Sequence, residues 1–178
     1  MVFALGWAGL KYGQHRARVI AEQRKAELRE RAVDRIKGKP GYAVIWDAET
    51  LAMLANDPDC VANATGARFS MMDCSDPRLG RISDLANVKT LTFYSCNNVE
   101  GVLAAAEAMP AVEMVFFEAT DVDAASVDRF VNWPSLSTVV FDGRQSEQHV
   151  ARLSELAPAI DAMTAEEHWY GDPAANQD

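Results

Sequence analysis

The residues of this chain best suited to chemistry are its three cysteines (Cys60, Cys74, Cys96) and three histidines (His15, His149, His168). Cys96 invites a nucleophile reading with His149 as a distant base, since a thiol attacks efficiently only once a neighbour takes its proton. The bland reading is that Cys96 is a buried turn residue satisfying backbone groups, and it carries more weight. The histidines are scattered and no pair has metal-ligand spacing. The cysteines are odd in number and lack CxxC spacing, which argues against a disulfide framework and a cysteine zinc site. A reducing, cytoplasmic setting follows most simply, with a Cys60–Cys74 bridge the one pairing left open. Glu166-Glu167-His168 reads as a solvated helix end before it reads as a metal site. Asp121, Asp123 and Asp128 lack the glycine and closing glutamate of a calcium loop. Asp121 and Asp123 instead suit the cap of a helix starting near Ala124. No Gly-rich phosphate loop or nucleophile elbow occurs. The expectation is a protein that is not an enzyme and needs no cofactor or metal. A small enzyme using Cys96 is the alternative.

Charge narrows the partners. The chain carries a net charge of -9. Residues 1–40 hold ten basic residues against four acidic ones, a net +6, and the remainder holds seven against 22, a net -15. A body so acidic repels a phosphate backbone, so nucleic acid is not expected as a partner. The basic segment suits an anionic membrane surface, or the body of a second copy in a homo-oligomer. The opening MVFALGWAGL is apolar, but ten helical residues reach about 15 Å, half a bilayer core. It lacks the charge-first order of a secretory signal and reads either as the remnant of a longer anchor or as an apolar cap.

From Leu10 to Ile36 strong helix formers dominate, with a thin apolar stripe (Ile20, Leu28, Ala32, Ile36) that predicts an exposed helix. Gly38-Lys39-Pro40-Gly41 stops it. Tyr42–Trp46 reads as a strand, and Asp47 as the N-cap of a helix containing Leu51, Met53 and Leu54.

Behind these elements runs a period. Phe69, Phe93, Phe117 and Phe141 are spaced 24 residues apart. Val88, Val112, Leu136 and Ile160 keep the same step, as do Leu91, Val115, Val139 and Met163, and Pro110, Pro134 and Pro158. Between them Leu79, Leu103 and Val127 match, and so do Ile82, Ala106 and Phe130. Each unit joins an alternating strand to a helical stretch. So short a unit cannot bury its own apolar face, and stacking units in parallel register solves this.

The pattern Val88-x-x-Leu91-x-Phe93-x-x-Cys96-x-x-Val99 resembles the leucine-rich repeat, in the variant with cysteine in the slot after the strand. Short bacterial proteins with an apolar stub and a basic helix before the repeats look similar over nearly the whole chain. The likeness is strongest over residues 79–142. It departs where the Cys96 slot becomes Thr120 and then Arg144, and where the helix of Val150 and Leu153 starts one residue early. The resemblance implies an α/β leucine-rich-repeat solenoid of about three to four repeats. Its single parallel sheet would carry helices on the outer side, with a helix before it. The segments are then 1–40 (stub and basic helix), 41–170 (repeats and end caps, Trp169 and Tyr170 covering the last repeat) and 171–178 (a tail, loose from Pro173 to Asp178).

Strand alternation puts three columns on the concave face: Gly66, Thr90, Met114, Thr138; Arg68, Thr92, Phe116, Val140; and Ser70, Tyr94, Glu118, Asp142. Tyr94, Met114, Phe116 and Val140 make an apolar cluster beside Thr92, with Arg68, Glu118 and Asp142 as a charged rim. Such a patch suits a protein partner. The competing expectation is that the N-terminal helix folds back over it. The functional expectation is a protein–protein interaction module working through this face and tethered to a membrane or partner by its N-terminus. A self-associating structural protein stands as a further alternative.

Overall fold

The computed structural model describes residues 2–143 and 145–170. Met1, Arg144 and residues 171–178 lie outside the description, as do the side chains of residues 2–13, Trp169 and Tyr170. The expectations placed on the Arg144 slot, the Trp169–Tyr170 cover and the Pro173–Asp178 tail fall there.

The fold is α/β, built on one open sheet of six parallel strands in chain order, β1 (Gly41–Ile45), β2 (Ala64–Ser70), β3 (Thr90–Tyr94), β4 (Met114–Glu118), β5 (Thr138–Phe141) and β6 (Asp161–Thr164). Parallel neighbours need a crossover between them. Each is short: α2 (Ala48–Asn56) with α3 (Pro58–Asn63), a 3-10 helix over Pro77–Asp84, α4 (Glu100–Ala106), α5 (Ala124–Arg129) running into a 3-10 turn, and α6 (Ser146–Leu156). Capping starts several of them. Asp47 accepts from Thr50 N at 2.8 Å and Asp57 from Cys60 N at 3.2 Å. Asp123, rather than Asp121, caps α5 through Ser126 N at 2.6 Å.

The 24-residue step is the register of the sheet. Phe69 pairs with Phe93, Phe93 with Phe117 and Phe117 with Phe141. Their rings stack nearly parallel with centroids 5.1, 5.4 and 5.5 Å apart. The expected columns are buried throughout their central members, among them Leu79, Leu103, Val127, Ile82, Ala106, Phe130, Leu91, Val115 and Val139. The step reaches back to β1, where Ile45 pairs with Phe69 and Ala43 with Ala67. It fails at the other end. Met163, expected beneath Val139, pairs instead with Val140, because β6 arrives after a step of 23 residues. With strand side chains alternating, that slip carries Met163 to the opposite face.

A second column follows the strands. Met71, Ser95 and Ala119, also 24 apart, take left-handed backbone with φ of 50°, 49° and 47°. The turned backbone lets Met71 N donate to Tyr94 O (2.7 Å) and Ser95 N to Glu118 O (2.9 Å).

Helix α1 (Val2–Ile36) is exposed over residues 14–28, as its composition predicts. Its last turns differ. Ala32, Val33 and Ile36 are buried, and Arg29 reaches Asp47 at 2.6 Å and Glu49 at 3.5 Å, while Lys37 reaches Asp57 at 3.0 Å. Gly38 at φ +79° ends the helix, the conformation glycine adopts without a steric cost. So α1 closes the β1 end of the core, packing on β1, α2 and α3.

Candidate functional site

The face of the sheet opposite the phenylalanine column carries the residues expected to bind a partner. Its central strands β2, β3 and β4 place Arg68, Tyr94 and Glu118 within reach of one another. Arg68 Nη2 lies 2.9 Å from a Glu118 carboxylate oxygen, two strands away, and its guanidinium sits over the Tyr94 ring at 4.8 Å. These residues are half-buried. The arginine is thus held flat by an aromatic face on one side and a carboxylate at its tip. Arg68 and Glu118 form a bridge across the face rather than the charged rim expected of them.

Thr90, Met114 and Phe116 are also half-buried and line the same surface. Thr92 and Val140, expected to be open, are 6% and 1% exposed, while Asp142 is exposed. The cover comes from the chain's other end. After β6 a short helix α7 (Ala165–Tyr170) folds over this face, and the His168 ring meets Phe116 edge-on at 5.1 Å. Its start is fixed by a capping box: Thr164 N and Oγ1 donate to Glu167 at 2.7 and 2.9 Å, and Glu167 N donates back at 3.3 Å. The two bonds from Thr164 hold the Glu167 carboxyl below its ordinary range. The element folded onto this face is α7, on its β5–β6 side and at Phe116, while the N-terminal helix packs on β1, α2 and α3. At the β1 edge Gly66 lies beneath the exposed Tyr42, whose ring is 2.4 Å from where a Cβ would stand.

The chemistry-bearing residues are placed elsewhere. Cys96 is 2% exposed, its Sγ 3.4 Å from Tyr94 O and its N–H on Thr120 Oγ1 at 3.1 Å. Thr120 Oγ1 in turn lies 3.0 Å from Phe93 O. His149 is buried in α6 against Phe141, ring centroids 5.4 Å apart. Two strand spacings, roughly 10 Å, separate β3, which Cys96 follows, from β5, and His149 lies beyond β5 in α6. Cys60 is buried with its Sγ 3.6 Å from Val33 O, and burial pushes its thiol up to about 11. All three cysteines are free, so the Cys60–Cys74 bridge left open above is not formed. Among the described residues no group of three or more His, Cys, Asp or Glu converges as a metal site would require. Asp128, weighed as a calcium ligand, pairs with Arg152.

Two features of the site were invisible to the spacing of residues. The Arg68–Glu118 pair spans 50 residues, and no local pattern announces it. The capping box Thr164-x-x-Glu167 marks where α7 begins, but nothing in that motif says which face the helix covers.

No protein-family model matches the chain, and neither a curated protein nor a solved structure does.

Proposed function

We propose that the chain is a protein–protein interaction module, a short solenoid of the leucine-rich-repeat type, which receives its partner on the sheet face around Tyr94, Met114 and Phe116. One observation carries this reading. A half-buried strip of aromatic, thioether and charged side chains crosses three rigidly registered strands, the mixture found at interface centres. The burial of Cys96 and its separation from His149 favour binding over catalysis at this scaffold. A photoreactive residue placed at Tyr94 tests it in cells. It should trap a defined adduct that Phe116→Asp removes, while the same probe at exposed Val131 on the helical side traps none. Equal adducts from both positions would overturn the reading.

A second reading rests on charge. Exposed Arg16, Arg18, Arg24, Arg31 and Arg35 project from α1 beside a body of opposite sign, so the helix of one copy can dock on another. Mass in solution should then fall as salt rises, because exposed pairs are screened within about 10 Å. The expected affinity of residues 1–40 for an anionic membrane surface belongs to the same reading, and predicts salt-sensitive sedimentation with anionic vesicles. Among the described residues no helix is long and apolar enough to cross a membrane.

A further inference from the structure

Cys74 and Cys96 sit in the turns that follow β2 and β3. A parallel bridge between Asp73 and Asn97 joins these turns, closed by Asn97 N to Met72 O at 3.1 Å and Cys74 N to Asn97 O at 2.8 Å. Each cysteine is adjacent to a member of that bridge, so successive side chains alternating along the strand place both thiols on the same side of it. Both residues are 2% exposed, and each thiol is the foremost influence on the other's ionisation. Cys74 also lines a surface cavity of about 380 Å³, with Ser75, Asp76, Gly80 and Asn98 on its walls. Two free thiols on neighbouring, bridged turns, one of them lining a cavity open to solvent, have a chemistry that neither would have alone.

We propose that Cys74 and Cys96 are an oxidation site of the hydroperoxide-responsive kind, closing to an intramolecular disulfide. The electrons balance as follows. The reacting species is the pair that has lost one of its two protons to solvent. One sulfur attacks the O–O bond of hydrogen peroxide, forming a sulfenic acid and releasing hydroxide, which takes up the pair's remaining proton as water. The second sulfur, now a thiolate, attacks the sulfenic sulfur and expels hydroxide as the S–S bond forms, and that hydroxide takes back from solvent the proton the pair first gave up. Two thiols and one peroxide thus give one disulfide and two waters. The neighbouring Cys74 thiol is the first cause holding the Cys96 thiol down to about 7, so the attacking form is populated near neutral pH. The Cys74 thiol is pushed far up by its neighbour and by burial. Cys60 has no such neighbour, sits beneath α1 and serves as an internal control.

The test uses the full chain in native buffer with stoichiometric hydrogen peroxide, read by intact mass and by peptide mapping without reduction. The expected product has lost two hydrogens, carries a Cys74–Cys96 crosslink and keeps Cys60 free. Cys74→Ser and Cys96→Ser should each abolish the crosslink. Addition of oxygen to either cysteine of the parent chain without crosslinking would overturn the proposal. So would a crosslink through Cys60, or a reaction that appears only in denaturant.

Discussion

Phe117 shows what a single residue contributes here. It lies between Phe93 and Phe141 and touches Phe130 from the helical layer, centroids 6.1 Å apart. Phe117→Ala should cost about 3–5 kcal/mol, measured as a shift in denaturant midpoint. Phe116 lies one residue away on the other face, half-buried against His168. Phe116→Asp should loosen α7 and lower the melting temperature, but far less than Phe117→Asp, which places a charge inside the stack. Comparable melts would mean that the α7 cover is as dense as the core itself. Thr120 offers a finer probe. Thr120→Val keeps the shape but leaves the buried Cys96 N–H without its acceptor, for an expected loss of about 1–3 kcal/mol in the same assay.

At the scale of elements, two joints deserve separate tests. The left-handed column Met71, Ser95, Ala119 costs roughly 1–2 kcal/mol at each non-glycine position. Ala119→Gly relieves that strain at a smaller entropic cost, so the variant should be more stable by up to about 1 kcal/mol. A drop in stability would locate the turn's conformation elsewhere. The second joint is α1 on α2. Burial of Asp47 disfavours its charge, yet the Arg29 guanidinium and the Thr50 bonds outweigh that and hold its carboxyl below the ordinary value of 3.8. A lowered carboxylate stabilises the fold fully above its unfolded value, and the contribution fades as pH falls through the folded one. The urea midpoints of parent and Arg29→Met should therefore differ at pH about 6 and draw together as the pH falls below 3.8. These elements also show what spacing could reveal. The phenylalanine column was legible because one large residue type repeats at one step, and the N-cap at Asp47 because it is local. The membership of β1 in the same register was not, since Ile45 and Ala43 stand where later strands have Phe and Leu or Val. The slip before β6 was masked by Met163, an apolar residue that fits the period by type and not by pairing. Among the face residues, alternation gave the side of the sheet correctly, but exposure depended on α7, which no strand pattern contains.

For the molecule as a whole, the two ends of the sheet are finished differently. A parallel sheet of repeating strands presents one unpaired edge at each end, and an edge is a template for another chain. At the β1 end the buried turns of α1 and its three ion pairs to α2 and α3 stand against the terminal strand. At the β6 end the last strand has four residues, half-exposed or exposed, and arrives out of phase by one residue. A second copy docking head to tail would have to match a strand in the 24-residue phase to one that has left it. Head-to-tail contacts of this kind, where they do fit, propagate into open filaments rather than closed rings. If the slipped strand and α1 each hinder that edge-to-edge contact, altering either should let linear growth begin. Removing residues 2–36 should leave a chain that scatters light increasingly with concentration. Inserting one alanine between Ala157 and Ile160 to restore the phase at β6 should make that growth faster and fibrous in electron micrographs. The missing residue, which at first looks like decay of the repeat, would then be what keeps each copy separate.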